Sequence, residues 1–240
     1  ENLVNILFVG ELQLVLFDIP FMVFATVGVI NALNMSDGVD VLASGYTVVA
    51  LSGLLYLVWG SETFSQEQTL LLLLAAAVLG FMLLNARSPW CRKAKVFMGD
   101  SGSMFLGFAL AVAFIHLSQG DAKVMAPVTA LWLFALPLMD TVSIIVRRKK
   151  KKQSAFEPGQ DHIHHILQRA DFSVCQIVTM GWATSIVLAI IGIVGYRLGV
   201  HDGIMFVGFM SMYFFYHYMI SRALRKNQIF NRQLKAQIEE

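Results

Sequence analysis

Seven stretches of this chain are apolar for about the length that a bilayer demands, at about residues 14–34, 41–59, 69–86, 103–117, 125–146, 176–196 and 203–220. The hydrocarbon core takes roughly 20 apolar residues in helical form. Inside it every backbone polar group must find its partner within the protein. The expected fold class is therefore all-α: a polytopic transmembrane helical bundle with about seven spans. Charge agrees. Of 240 residues, 14% are charged and 57% are hydrophobic, whereas a soluble domain carries about 25% charged residues. The fourth run is short and is expected either to be lengthened by the residues around Asp100 or to be met by local thinning of the bilayer.

The placement of the basic residues sets the orientation. Sixteen of the 18 Lys and Arg fall between runs three and four, between runs five and six, or after run seven. Alternation puts these segments on one side, and the excess of positive charge marks it as cytoplasmic. The segment Asn34 to Asp40 falls on the same side. Cys91 and Cys175 both lie in these loops, where thiols stay reduced, so neither is read as a disulfide partner. The start, Glu1-Asn2-Leu3-Val4, has no initiator Met, and the chain reads as the tail of something longer. The domain reading is a single integral-membrane unit over 1–220, containing a basic and His-rich cytoplasmic loop at 147–175, followed by a basic cytoplasmic tail at 221–240.

Four polar patches are expected to meet on that cytoplasmic face. The first is Asn31-x-x-Asn34-x-x-Asp37-Gly38-Val39-Asp40. Asn31 and Asn34 are three apart and share a helix face, and Gly38 is expected to let the chain turn. One Asn at a helix end is ordinarily a cap, but two amides and two carboxylates at this spacing argue for a site. The second patch is Asn85 with Lys95-Val96-Phe97-Met98-Gly99-Asp100-Ser101-Gly102-Ser103. Asp100 would serve as an N-cap or, more informatively, as an oxygen ligand to a hard cation, with Phe97 free to stack on a flat base. The third is Pro137-Leu138-Met139-Asp140, where Asp140 is expected to pair with Arg147 or Arg148 or to border a polar cavity. The fourth is Asp161-His162-Ile163-His164-His165, downstream of Arg147 and Arg148. Its spacing suits a transition metal poorly, whereas Arg and imidazole both donate to phosphoryl oxygens. The run Lys149 to Lys152 is read as a topology and lipid-headgroup signal. Acid for metal, base for phosphate and an aromatic face at one membrane surface describe transfer of a phosphorylated group from a soluble nucleotide to something in the bilayer.

On these motifs, together with Ala126-Pro127 to Trp132, the chain resembles the polyprenyl-phosphate N-acetylhexosamine-1-phosphate transferases (glycosyltransferase family 4) from about residue 10 to 220. It is most similar to the bacterial undecaprenyl-phosphate GlcNAc-1-phosphate branch. The resemblance implies a multi-pass protein of the bacterial inner membrane with cytoplasmic active-site loops. It implies that undecaprenyl phosphate attacks the β-phosphorus of UDP-GlcNAc with Mg²⁺ or Mn²⁺, the first step of lipid-linked O-antigen or other surface-polysaccharide synthesis. Asp100 and Asn34 would hold the metal. Asp37, Asp40, Asp100 and His162 would form the catalytic set. Phe97, Asp40, Arg147, Arg148, His162, His164 and His165 would bind nucleotide, diphosphate or sugar. The expected partners are UDP-GlcNAc, undecaprenyl phosphate, the bilayer and a second copy of the chain as a homodimer, with no nucleic acid.

Two departures from the family pattern stand out. Its adjacent Asp-Asp pair and early Pro- and Gly-rich loop do not occur here and would lie upstream of Glu1, so residues 1–240 alone are expected to be inactive or nearly so. Val41 stands where the family usually has Gly. If the turn needs φ > 0, Val is strained there, which would rearrange the turn or weaken nucleotide binding. The competing readings are the same reaction with another UDP-sugar, a non-catalytic membrane protein, and a transporter.

Overall fold

A computed structural model describes residues 18–86, 94–96, 98–120, 123–154 and 162–239. All the regular structure among them is helical: α1 (Asp18–Ser36), α2 (Leu42–Val58), a 3-10 turn (Glu62–Phe64), α3 (Ser65–Asn85), α4 (Gly99–Ser118), α5 (Pro127–Leu133), α6 (Ala135–Lys150), α7 (Ile163–Arg169), α8 (Val174–Arg197) and α9 (Asp202–Glu239). Five helices are long and apolar enough to cross a membrane; α5 with α6 makes a sixth, bent crossing, and α2 is a shorter apolar helix. These are the seven runs of the sequence. The chain is a multi-pass membrane protein by length and composition. As expected, the fourth run is lengthened at its start, because α4 begins at Gly99.

Up-and-down connection brings the end of α1, the start of α2, the end of α3, the start of α4, the end of α6 and the start of α8 to one end of the bundle. α1 lies against α4 most intimately. The α4 positions facing inward are small at every fourth residue: Ser103, Gly107 and Ala111. Small residues let membrane helices approach closely. At Gly107 the approach is so close that an added Cβ would stand 2.7 Å from the Ile30 Cα. Side-chain packing alone cannot make such a contact; it needs a missing side chain.

α5 and α6 meet at 86°. The corner is at Phe134, with φ −122° and ψ 28°. Pro137 explains its place. A proline has no N–H for the carbonyl four residues back, here Leu133, and its ring crowds that carbonyl. On the far side of the corner, Trp132 fixes α5 to α9, donating from Nε1 to the Met205 carbonyl at 3.2 Å and meeting Phe209 edge-on at 5.8 Å.

Candidate active site

The first two patches meet directly. Asn34, in the last turn of α1, donates from Nδ2 to Asp100 Oδ1 at 3.0 Å and to Ser103 Oγ at 2.9 Å. Asp100 stands in the first turn of α4, not at its cap. A carboxylate there faces the positive end of the helix dipole and its unpaired amides. Asp37, in the loop after α1, takes the Gly99 backbone N–H. Burial raises its carboxyl from 3.8 to about 6; the Gly99 hydrogen bond opposes this, and the nearby Asp100 charge adds to it. Asn31 goes elsewhere: its amide returns to the Val27 carbonyl of its own helix at 2.8 Å.

Asn85 closes the same patch from α3. Its Oδ1 accepts from the backbone N–H of Lys95 at 3.0 Å and of Val96 at 2.8 Å, and its Nδ2 donates to Phe81 O at 2.8 Å. A buried side chain thus substitutes for secondary structure in holding the approach to α4. Asp37, Gly38, Asp40, Asn85, Val96 and Met98 line a small cleft of about 50 Å³. Phe97 and Asp161 lie outside the described residues.

Gly38 lies in the turn after α1, as expected, but not for the freedom of its backbone. Its φ is not positive; the left-handed residue of this loop is Val41, at φ 58° and ψ 8°. The turn is kept, then, and Val bears it. Gly38 is needed for space: an added Cβ would fall 2.5 Å from His164 Nε2. His164 is 2% exposed, and this nitrogen has no hydrogen-bond partner. Burial, and then His165 and His162, lower its pKa from 6.5 to about 4, against the opposing pull of Asp140. A neutral, enclosed imidazole therefore joins the fourth patch to the first by packing.

His162 caps the start of α7, and its Nδ1 donates to Asp140 Oδ2 at 3.0 Å. The other oxygen of Asp140 accepts from Tyr216 Oη, on α9, at 2.8 Å. The sequence suggested Arg147 or Arg148 as the partner of Asp140; these bonds run instead to an imidazole and a phenol. Arg147 and Arg148 are buried at the end of α6, and Arg147 Nη1 donates to Ser143 Oγ. His165 is half-buried beside Gln168. Its ring centroid is 4.2 Å from that of His164, while the rings of His162 and His164 stack at 5.4 Å.

Tyr216, Ser143 and His217, whose Nδ1 lies 2.9 Å from Ser143 Oγ, had no part in the motifs. One signal pointed to them: His217 is an ionisable group inside a span, and such groups seldom lack a partner. Among the described residues no group of three His, Cys, Asp or Glu is arranged to hold a metal ion. Asp37 and Asp100 nevertheless bring hard oxygen donors together, beside Asn34, whose Nδ2 rather than its oxygen faces Asp100. An apolar cavity of about 300 Å³, bordered by Phe21, Val29, Phe114, Leu131 and Phe206, lies toward the opposite end of α1 and α4 and holds none of these groups.

A helical membrane bundle that gathers carboxylates, amides, imidazoles and arginines at one end defines a class: integral-membrane proteins with a polar site at the bilayer boundary. Within that class, residues 1–118 match the model of glycosyl transferase family 4, and the chain belongs to this family. It is 36% identical over 219 residues to undecaprenyl-phosphate alpha-N-acetylglucosaminyl 1-phosphate transferase of Yersinia pestis, covering 90% of this chain and 60% of that protein. It is 37% identical over 204 residues to the protein of the same name from Escherichia coli K12, covering 83% and 54%. To that of Pasteurella multocida it is 38% identical over 152 residues, covering 63% and 43%. The chain thus spans a little over half the length of the first two.

Proposed function

We propose that the protein to which this chain belongs transfers GlcNAc-1-phosphate from UDP-GlcNAc to undecaprenyl phosphate, at the cytoplasmic face of a bacterial inner membrane. The observation that carries the reading is the meeting of three separate motifs: Asn34 bonds Asp100, and His164 packs on Gly38 between Asp37 and Asp40. The names of the relatives support it. So does the basic end of α6, where Arg147 to Lys150 stand at the same end of the bundle as the site.

The chemistry needs little proton removal. A phosphate monoester is largely dianionic near neutral pH, its second pKa being about 6. Its oxygen forms a bond to the β-phosphorus of the donor, the bond to the bridging oxygen breaks, and UMP leaves. The difficulty is electrostatic, because an anion must approach an anionic diphosphate. Asp100 and Asn34, with Asp37 beside them, would hold Mg²⁺ or Mn²⁺, Asn34 by turning its amide so that Oδ1 replaces Nδ2; the carboxylate oxygens and the repulsion between Asp37 and Asp100 both suit a cation. Such an ion, when bound, neutralises charge on the diphosphate in a loose transition state. His162, His165 and the buried arginines would donate to phosphoryl oxygens. His164, enclosed and neutral, would act as the wedge that holds these donors against Gly38. Phe97 would stack on uracil, with Asp40 at its polar edge.

The test is formation of lipid-linked sugar from radiolabelled UDP-GlcNAc by the whole protein in membranes. Asp100→Ala should lower turnover by about 100-fold or more. Retained turnover would remove Asp100 from the reaction. Competition by other unlabelled UDP-sugars in the same assay identifies the preferred donor.

A further inference from the structure

α9 carries none of the motifs, yet it reaches the histidine cluster through one carboxylate. Asp140 accepts two hydrogen bonds, one on each oxygen: from Tyr216 Oη at 2.8 Å and from His162 Nδ1 at 3.0 Å. Asp140 and His162 are both buried. In such a place an unshared carboxylate is costly, and two donors on separate oxygens leave it little freedom to rotate. A carboxylate held in this way dictates its second donor. The Nδ1–H of His162 is committed, so the plane and tautomer of the ring are fixed and Nε2 is the nitrogen left for a ligand.

We infer that Tyr216 is a positioning residue, which acts through Asp140 to fix the plane of the His162 ring so that Nε2 faces the donor, where in the doubly protonated ring its N–H reaches a phosphoryl oxygen. The inference rests on the reading of His162 as a contact for the donor's phosphates. Tyr216 itself touches no substrate in this arrangement. The titratable groups around the Asp140–His162 pair are Tyr46 on α2, Arg147 on α6, His164 and His165 on α7 and Tyr216 on α9. Among the described residues the hydrogen bonds to this carboxylate come from Tyr216 and His162, and of the two Tyr216 is the one that lies on another span. A hydroxyl on the last span thereby governs a histidine in a loop 54 residues earlier in the chain.

A Tyr that merely tied α9 to α6 would give the same fold, so the test must follow His162. Two measurements on the whole protein in lipid nanodiscs do so. The first is ¹⁵N spectroscopy of histidine-labelled protein, with the His162 signals assigned by their loss in His162→Gln. In the substrate-free parent, at a pH where the ring is neutral, the proton should sit on Nδ1; Tyr216→Phe and Asp140→Asn should mix the tautomers. The second is a double-mutant cycle in the transfer assay. Tyr216→Phe should lower kcat/KM about 10-fold in the parent and leave it unchanged in the His162→Gln background.

Unaltered His162 signals in Tyr216→Phe, or a loss of the same size in both backgrounds, would overturn the inference. If no variant, including the parent, transferred sugar phosphate, the proposed reaction would fall. The tautomer measurement would still decide whether Tyr216 positions His162.

Discussion

At the scale of the residue, Val41 carries a conformation that its side chain opposes. With φ 58° it lies in the left-handed region, where a Cβ crowds the following carbonyl at a cost of about 1–2 kcal/mol. A branched Cβ makes the position still less natural. Its isopropyl group is buried, which offsets part of that cost. A comparison that removes the isopropyl group in both variants separates the two effects. Val41→Gly should be more stable than Val41→Ala by about 1 kcal/mol in thermal or denaturant unfolding. Equal stability would mean that the loop does not hold this residue left-handed. Two other residues give the site opposite responses to acid. The folded pKa of Asp37, about 6, lies above its ordinary 3.8. Its contribution to stability is complete below 3.8 and is lost as pH rises through about 6. His164 is lowered from 6.5 to about 4; its contribution is complete above 6.5 and is lost as pH falls through about 4. Between about 4 and 6 the two oppose each other. Melting temperature measured across that window should therefore rise more steeply with pH in Asp37→Asn than in the parent. In His164→Gln it should slope the other way. Parallel profiles in both variants would contradict these shifts.

At the scale of the element, the α1–α4 seam sets the distance across the acidic patch. Ile30 precedes Asn34 by one helical turn, and Gly107 follows Ser103 by one. The closest backbone approach and the Asn34–Asp100–Ser103 bonds therefore lie on one stripe. A Cβ at position 107 would stand 2.7 Å from the Ile30 Cα, and a backbone atom cannot rotate away as a side chain can. Gly107→Ala should cost about 1–3 kcal/mol. It should also spread Asn34 from Asp100, so that Mg²⁺ raises the melting temperature of this variant less than that of the parent. An equal rise would mean that the seam does not set the ion site. Little of this was legible in the sequence. The partners Asn34 and Asp100 could be named because each sits in a dense polar motif at the end of an apolar run. The glycine that lets them meet is an apolar-run residue like its neighbours, and its importance depends on which helix packs against it. Pro137 was visible too, but an 86° corner at Phe134 is one of several outcomes a proline allows.

At the scale of the whole molecule, the spans and their alternation were readable because bilayer thickness and backbone hydrogen bonding leave few choices. The convergence of patches at one end follows from that alternation alone. What alternation could not supply is how the patches touch. Asp140 finds His162 and Tyr216 because α6 turns away from α5 and passes α9. Gly38 meets His164 because α7 folds back beneath the first loop. Such pairings join residues far apart in the chain and have no local periodicity to announce them. A straight helix accommodates a thicker or thinner bilayer by tilting. The α5–α6 crossing is already folded to 86°, so a change in lipid thickness would open or close that corner instead. Asp140 stands within two turns of it and would travel with the moving arm, carrying His162 along. Lipid thickness would in that case reach the His162 ring through the backbone of one bent crossing.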